Sequence, residues 1–147
     1  MGLLKTWLSL LVFFSTQALA GEIEFRTKQI TVKNIPLKVA VADNTAKRSR
    51  GLMFVSKWDK YQGMIFIFDN DQKRSFWMRN TLLPLSLGFY DGKKKLLEIK
   101  DLSPAKSLAQ KEVESVQSSE KARYVLEVPQ GWFKKNKVEI GSGFKGL

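Results

Sequence analysis

Arg79, Asn80 and Thr81, three adjacent polar side chains inside an aromatic and aliphatic run from Arg74 to Tyr90, are the part of this chain best suited to chemistry. On an extended strand alternate residues face opposite sides, so Phe76, Met78 and Asn80 share one face and Ser75, Trp77 and Arg79 the other. Each face therefore mixes apolar bulk with a hydrogen-bonding group. An unpaired buried amide or guanidinium is costly, which leaves two identities for the run: a satisfied structural corner or the wall of a ligand site. In the second identity Trp77 is a platform for a sugar ring or other flat ligand, and Arg79, Asn80 and Thr81 supply donors and acceptors around it. Phe76 and Met78 read as core residues.

The remaining inventory narrows the chemistry. The chain has no histidine and no cysteine, so serine–histidine triads, thiol nucleophiles, histidine metal sites and disulfides are excluded. A carboxylate mechanism stays open through Asp69, Asp71, Asp91 and Glu127, for which the separation in space is diagnostic. Asp69, Asp71 and Asp91 fall in polar segments and read as solvated turn residues. The Asp69-Asn70-Asp71 spacing resembles the start of a calcium loop, but position six is Arg74 where glycine is needed and position twelve is Asn80 where glutamate is needed. Met53 and Met64 read as core fillers, since a soft-metal site wants further sulfur or imidazole groups. No metal and no cofactor are expected. Glu127 differs from the other carboxylates because it interrupts an apolar strand. It faces either solvent or a partner, and Arg79 and Arg50 are the candidate partners.

Length and composition place these residues in one exported domain. The 147 residues are 44% hydrophobic and 27% charged, the balance of a globular domain. Residues 1–20 have the layout of a cleavable signal peptide: Lys5, an uncharged apolar stretch from Thr6, and the small-x-small site Ala18-Leu19-Ala20. The uncharged stretch is too short to span a bilayer, so residues 21–147 are expected as a single globular domain in the periplasm or outside the cell. The formal charge is +11, and cleavage would remove only Lys5 from the charged groups. Export makes nucleic acid a poor partner for this field. It suits an envelope polysaccharide or other anionic envelope component, with at most peripheral membrane contact.

The elements that would position the candidate residues are mostly strands. Alternation over Gly21–Lys33 and Leu37–Ala42, with a turn at Asn34-Ile35-Pro36, predicts a hairpin. Asp43-Asn44-Thr45 caps a short helix over Ala46–Arg50 that Gly51 stops. Met64–Phe68 is a central strand covered on both faces, and Asp69–Lys73 is a turn by composition. Leu85–Phe89 and Leu96–Lys100 are strands joined at Asp91-Gly92. Ser103–Lys121 reads as a long exposed connection. Ala122–Val128 is a strand, Pro129 opens a short helix that Asn136 ends, and Val138–Ile140 is the last strand.

Arg50-Gly51-Leu52-Met53, Gly63-Met64-Ile65-Phe66, Ser75 to Thr81 with Pro84, and Tyr124 to Val128 with Gly131 together resemble the domain of unknown function 192 family, an ancient conserved region of bacteria and archaea. The resemblance covers most of residues 21–147. It implies an α+β, β-rich fold, a compact, mainly antiparallel barrel or sandwich-like domain with short helices, and no established activity. Two departures are visible. Cysteine and proline common in members at the connection matching Ser103–Lys121 are absent here as a pair, and the closing Gly-Asp is Gly141-Ser142. Three functions remain in view: a non-catalytic binding domain for a polar or anionic envelope ligand such as a glycan, a carboxylate-dependent hydrolase of a polysaccharide, and a structural partner in an envelope assembly. The expected ligand-binding residues are Trp77, Arg79, Asn80, Thr81, Arg50 and Glu127.

Overall fold

The computed structural model describes residues 23–147, so the expected signal peptide lies outside the described residues. In chain order the elements are β1 (Thr27–Val32), β2 (Ile35–Ala42), α1 (Thr45–Arg50), β3 (Gly63–Gln72), β4 (Ser75–Trp77), β5 (Leu85–Tyr90), β6 (Leu96–Leu102), β7 (Ser115–Gln117), β8 (Ala122–Pro129), α2 (Trp132–Lys135) and β9 (Phe144–Lys145). Seven of the strands form one sheet in the order β6-β5-β8-β3-β2-β1-β9, and β4 and β7 form a separate two-stranded ribbon. The large sheet curls into a half-barrel. Its two ends approach where Lys95 bridges Gly143 and the Leu96 amide donates to the Ser142 carbonyl at 2.8 Å. No helix among the described residues is long and apolar enough to cross a membrane.

Both faces of the curl are covered, which gives two cores. The first gathers Ile30, Val39, Val41, Ile65, Tyr90, Leu126, Phe133 and Phe144. The second gathers Met64, Phe66, Met78, Leu85, Leu87, Phe89 and Val125. All six residues of β5 are buried, Ser86 included, as in a strand packed on both sides. Gly88 is required within it: a Cβ there would stand 2.5 Å from the Phe133 ring. Helix α2 thus seats its one buried residue, Phe133, against bare backbone.

The one parallel contact among the described residues, β2 with β3, needs a long crossover, and residues 43–62 with α1 supply it. Asn44 caps α1 through its side-chain oxygen, which accepts from the Lys47 amide at 2.9 Å, and Gly51 ends it at φ 47°. Lys47, Arg48 and Arg50 occupy the last turn, where the helix dipole favours cations.

Several local expectations are corrected. Asp69–Gln72 continue β3 instead of turning, because Gln72 pairs with Ala122 across a bulge and Asp71 bonds Arg123 at 2.9 Å. The connection after Ser103 is not wholly exposed: β7 lies in it, and its Ser118 hydroxyl, itself buried, accepts from the Arg74 amide at 2.8 Å. Pro129 closes β8 and is no part of α2, whose N-cap is Gly131 at φ 82°. Lys137, at φ 54°, takes the left-handed position expected of Asn136. The closing strand is Phe144–Lys145, not Val138–Ile140. At Asp91-Gly92 the hairpin forms as expected, but the left-handed residue is Lys94 at φ 63°. The Asp91 carboxylate accepts there from the Lys93 and Lys95 amides, both at 2.9 Å.

Candidate functional site

The alternation read from residues 75–79 holds. Trp77 is 54% exposed, whereas Met78 is buried. The run is extended only through Trp77, at the end of β4, which pairs with β7 in the register Ser75 to Gln117, Phe76 to Val116 and Trp77 to Ser115. Phe76 fixes the ribbon to the sheet by edge-to-face contacts with Phe66 and Phe89, at centroid distances of 5.0 and 6.0 Å. After Met78 the chain turns, and Asn80 sits at φ 52°, a left-handed conformation that asparagine tolerates better than most residues. The Thr81 amide closes this turn by donating to the Met78 carbonyl at 3.1 Å.

The turn directs Arg79 back over Trp77, with the guanidinium 5.3 Å from the ring centroid. Trp77, Arg79 and Asn80 then line one shallow concavity of about 410 Å³ together with Leu108, Gln110 and Lys111. Leu108 is also half exposed, at 51%. Three of the six expected site residues therefore meet at one place. Thr81 does not join them at the surface: it is buried, its hydroxyl donates to the Arg79 carbonyl at 3.1 Å, and its own carbonyl accepts from the Ala105 amide at 2.9 Å. Its part is to hold the turn.

Arg50 lies on a second, larger concavity of about 650 Å³ in the β2–β3 crossover. Its guanidinium stands 4.8 Å from the Phe54 ring centroid, and Lys38, Lys60 and Tyr61 line the same space. Phe54 is 50% exposed, although it follows the buried Leu52 in an apolar triplet with Met53. No period singles out Phe54, because it follows a helix stop in an irregular segment. Leu108 and Lys111 were equally hidden in a polar connection.

Glu127 is the exception among the charged groups. It is 6% exposed, and its cross-strand neighbours are Met64 on β3 and Leu87 on β5, both fully buried. Among the described residues it makes no ion pair with Arg50 or Arg79, and one carboxylate oxygen has no hydrogen-bond partner. Burial alone pushes its pKa up to about 8, so the carboxyl holds a proton at neutral pH. The expected arginine cluster is thus replaced by protonation as the way to avoid a bare buried charge. The tyrosine nearest in electrostatic terms, Tyr61, is raised by its own burial first and by Asp59 and Glu127 after it. Glu127 lines neither concavity. Of the other carboxylates considered, Asp71 pairs with Arg123, Asp91 caps its hairpin, and Asp69 lies exposed on β3. Among the described residues no group of three or more acidic side chains could hold a metal ion.

Fold and site together define a β half-barrel domain whose crossovers carry two open, cation-bearing aromatic clefts. The chain belongs to the domain of unknown function 192 family, described as an uncharacterised ACR, whose sequence profile matches residues 27–145. Among solved structures it is similar to one from Sinorhizobium meliloti 1021, named only by proposal as a transcription regulator. That likeness has TM-score 0.74 and 25% identity, over 86% of this chain and 98% of that one. A protein of unknown function from Novosphingobium aromaticivorans DSM 12444 is similar with TM-score 0.66 and 21% identity, over 82% of this chain and 84% of that one. No curated protein matches.

Proposed function

We propose that this is a non-catalytic binding domain, exported to the periplasm or beyond the cell, that recognises a polar or anionic envelope ligand such as a glycan at the Trp77 cleft. The observation that carries the reading is the half-exposed Trp77 ring with Arg79 stacked over it. A sugar ring presents C–H faces to an indole and hydroxyl or carboxylate edges to a guanidinium and an amide. Arg79 and Lys111 are the charged residues lining this cleft, in keeping with the chain's formal charge of +11.

The test is affinity electrophoresis of the protein through gels containing neutral or acidic polysaccharides, repeated with Trp77→Ala and Arg79→Ala. An aromatic anchor of this kind is worth about 2 kcal/mol or more, roughly a thirtyfold loss of affinity on truncation. Retardation that survives both substitutions with folding intact would remove the reading. The alternative of a carboxylate-dependent polysaccharide hydrolase has one observation in its favour, the proton held by Glu127 at neutral pH. Because Glu127 lines neither cleft, release of new reducing ends is the measurement that would revive it. A third reading, a partner in an envelope assembly, is the outcome if no polysaccharide retards the protein.

A further inference from the structure

The two clefts are built alike and they adjoin. Each carries a half-exposed aromatic ring, Trp77 at 54% and Phe54 at 50%. Each ring has a guanidinium over it, Arg79 at 5.3 Å and Arg50 at 4.8 Å. The segments that present them are joined directly, since the Phe54 amide donates to the Asn80 carbonyl at 2.9 Å. Both residues of that hydrogen bond are left-handed, Phe54 at φ 67° and Asn80 at φ 52°.

A left-handed asparagine in a turn is ordinary; a left-handed phenylalanine is not. Bulky residues keep such a conformation only where the surroundings impose it. Here the neighbouring α1 stop and the bond to Asn80 do so, and the ring so held points its surface to water instead of into a core. Phe54 belongs to neither core. Cations outnumber carboxylates in the second cleft, Lys38, Arg50, Lys57 and Lys60 against Glu24 and Asp59. Among the described residues Lys38, Arg50 and Lys60 have no carboxylate within ion-pair distance, while Lys57 is paired with Asp59 at 3.4 Å.

We propose that the two concavities are subsites of one surface groove for an extended anionic polysaccharide, with Phe54 and Arg50 engaging a ring further along the chain that Trp77 and Arg79 hold. This rests on the reading of the Trp77 cleft as a glycan site, and it adds the ligand's class and a minimum length. A chain that reaches both subsites gains from the second without a second association event, so affinity rises with length beyond the statistical gain from additional binding registers. A short oligomer fills one subsite only.

The experiment is titration calorimetry with galacturonate disaccharide and octasaccharide against wild type, Phe54→Ala and Trp77→Ala, each variant first checked for unchanged thermal unfolding. Wild type is expected to bind the octasaccharide at least about tenfold more tightly than the disaccharide after correction for the number of registers. Phe54→Ala is expected to erase that excess and leave disaccharide affinity as it was, and Trp77→Ala to weaken both ligands. If Phe54→Ala keeps the full excess, or wild type shows none, the groove is refuted while the Trp77 site stands. If Trp77→Ala leaves the disaccharide affinity unchanged, the underlying reading fails instead. If wild type binds neither oligosaccharide, an anionic glycan is not the ligand and the groove falls with it.

Discussion

Replacing Glu127 with glutamine should make the protein more stable at neutral pH and no more stable in acid. The carboxyl sits between Met64 and Leu87 with an unpartnered oxygen, and burial moves it from an ordinary 4.5 to about 8. Below pH 4.5 it is protonated in folded and unfolded chains alike, and it costs the fold no proton uptake. Between 4.5 and 8 the folded chain keeps a proton that the unfolded chain releases, so stability falls with rising pH by about 1.4 kcal/mol per unit. At pH 7 this amounts to about 2.5 units, on the order of 3 kcal/mol relative to pH 4.5. Glutamine has similar shape and no proton to lose, so Glu127→Gln should recover most of that, less the cost of an amide whose hydrogen bonds are incompletely met. Urea unfolding at several values between pH 4.5 and 8.5 reads the effect directly. Wild-type stability should decline across this range, and the variant's should be nearly flat, with a melting temperature at pH 8 higher by roughly 10 °C. Parallel declines in the two proteins, or a Glu127 carboxyl carbon that titrates near 4 by NMR, would refute the reasoning.

Three further substitutions probe how the clefts and cores are held. Phe133→Ala should cost about 3–5 kcal/mol in chemical denaturation, because α2 has no other buried residue and the void would open against Gly88. Ser86→Ala should cost about 1–3 kcal/mol by the same measurement. The buried Ser86 hydroxyl bonds Asp101 and accepts from the Gly131 amide at 2.8 Å, an amide that would be left unpaired. Lys94→Gly should instead raise stability by about 0.5–1 kcal/mol, since the hairpin holds Lys94 at φ 63° and glycine is at ease there; a loss in thermal unfolding would show that its contacts with Phe144 and the Leu147 carbonyl outweigh the backbone term.

Much of the fold was legible because its signals are local. The Asn44 cap and Gly51 stop define α1, the Met64–Phe68 run defines the first half of β3, and Asp91 builds its hairpin with its own carboxylate. What escaped depends on distant partners. β7 has one half-buried residue, Val116, between two exposed ones, too short a pattern for a period of two to register. Asp69 to Gln72 look like a turn because exposed strand ends and turns share a composition. Only the pairing of Gln72 with Ala122 separates them.

The site divides in the same way, and the division says why its residues are where they are. Exposure of Trp77 followed from alternation with Met78, a rule internal to β4. Burial of Thr81 and the approach of Phe54 to Asn80 did not, for each depends on a hydrogen bond to another segment: Thr81 to Ala105, Asn80 to Phe54. Those bonds tie the β2–β3 crossover, the turn after β4 and the connection before β7 into one patch outside the curled sheet. That patch also covers the second core through Leu52, Met78 and Leu83, but Phe54 and Trp77 belong to neither core, so their half-exposed rings add little to the fold. The proposed groove rests on that surface: it keeps Trp77 and Phe54 half exposed, each beside an arginine, and holds Phe54 in an unfavourable backbone conformation.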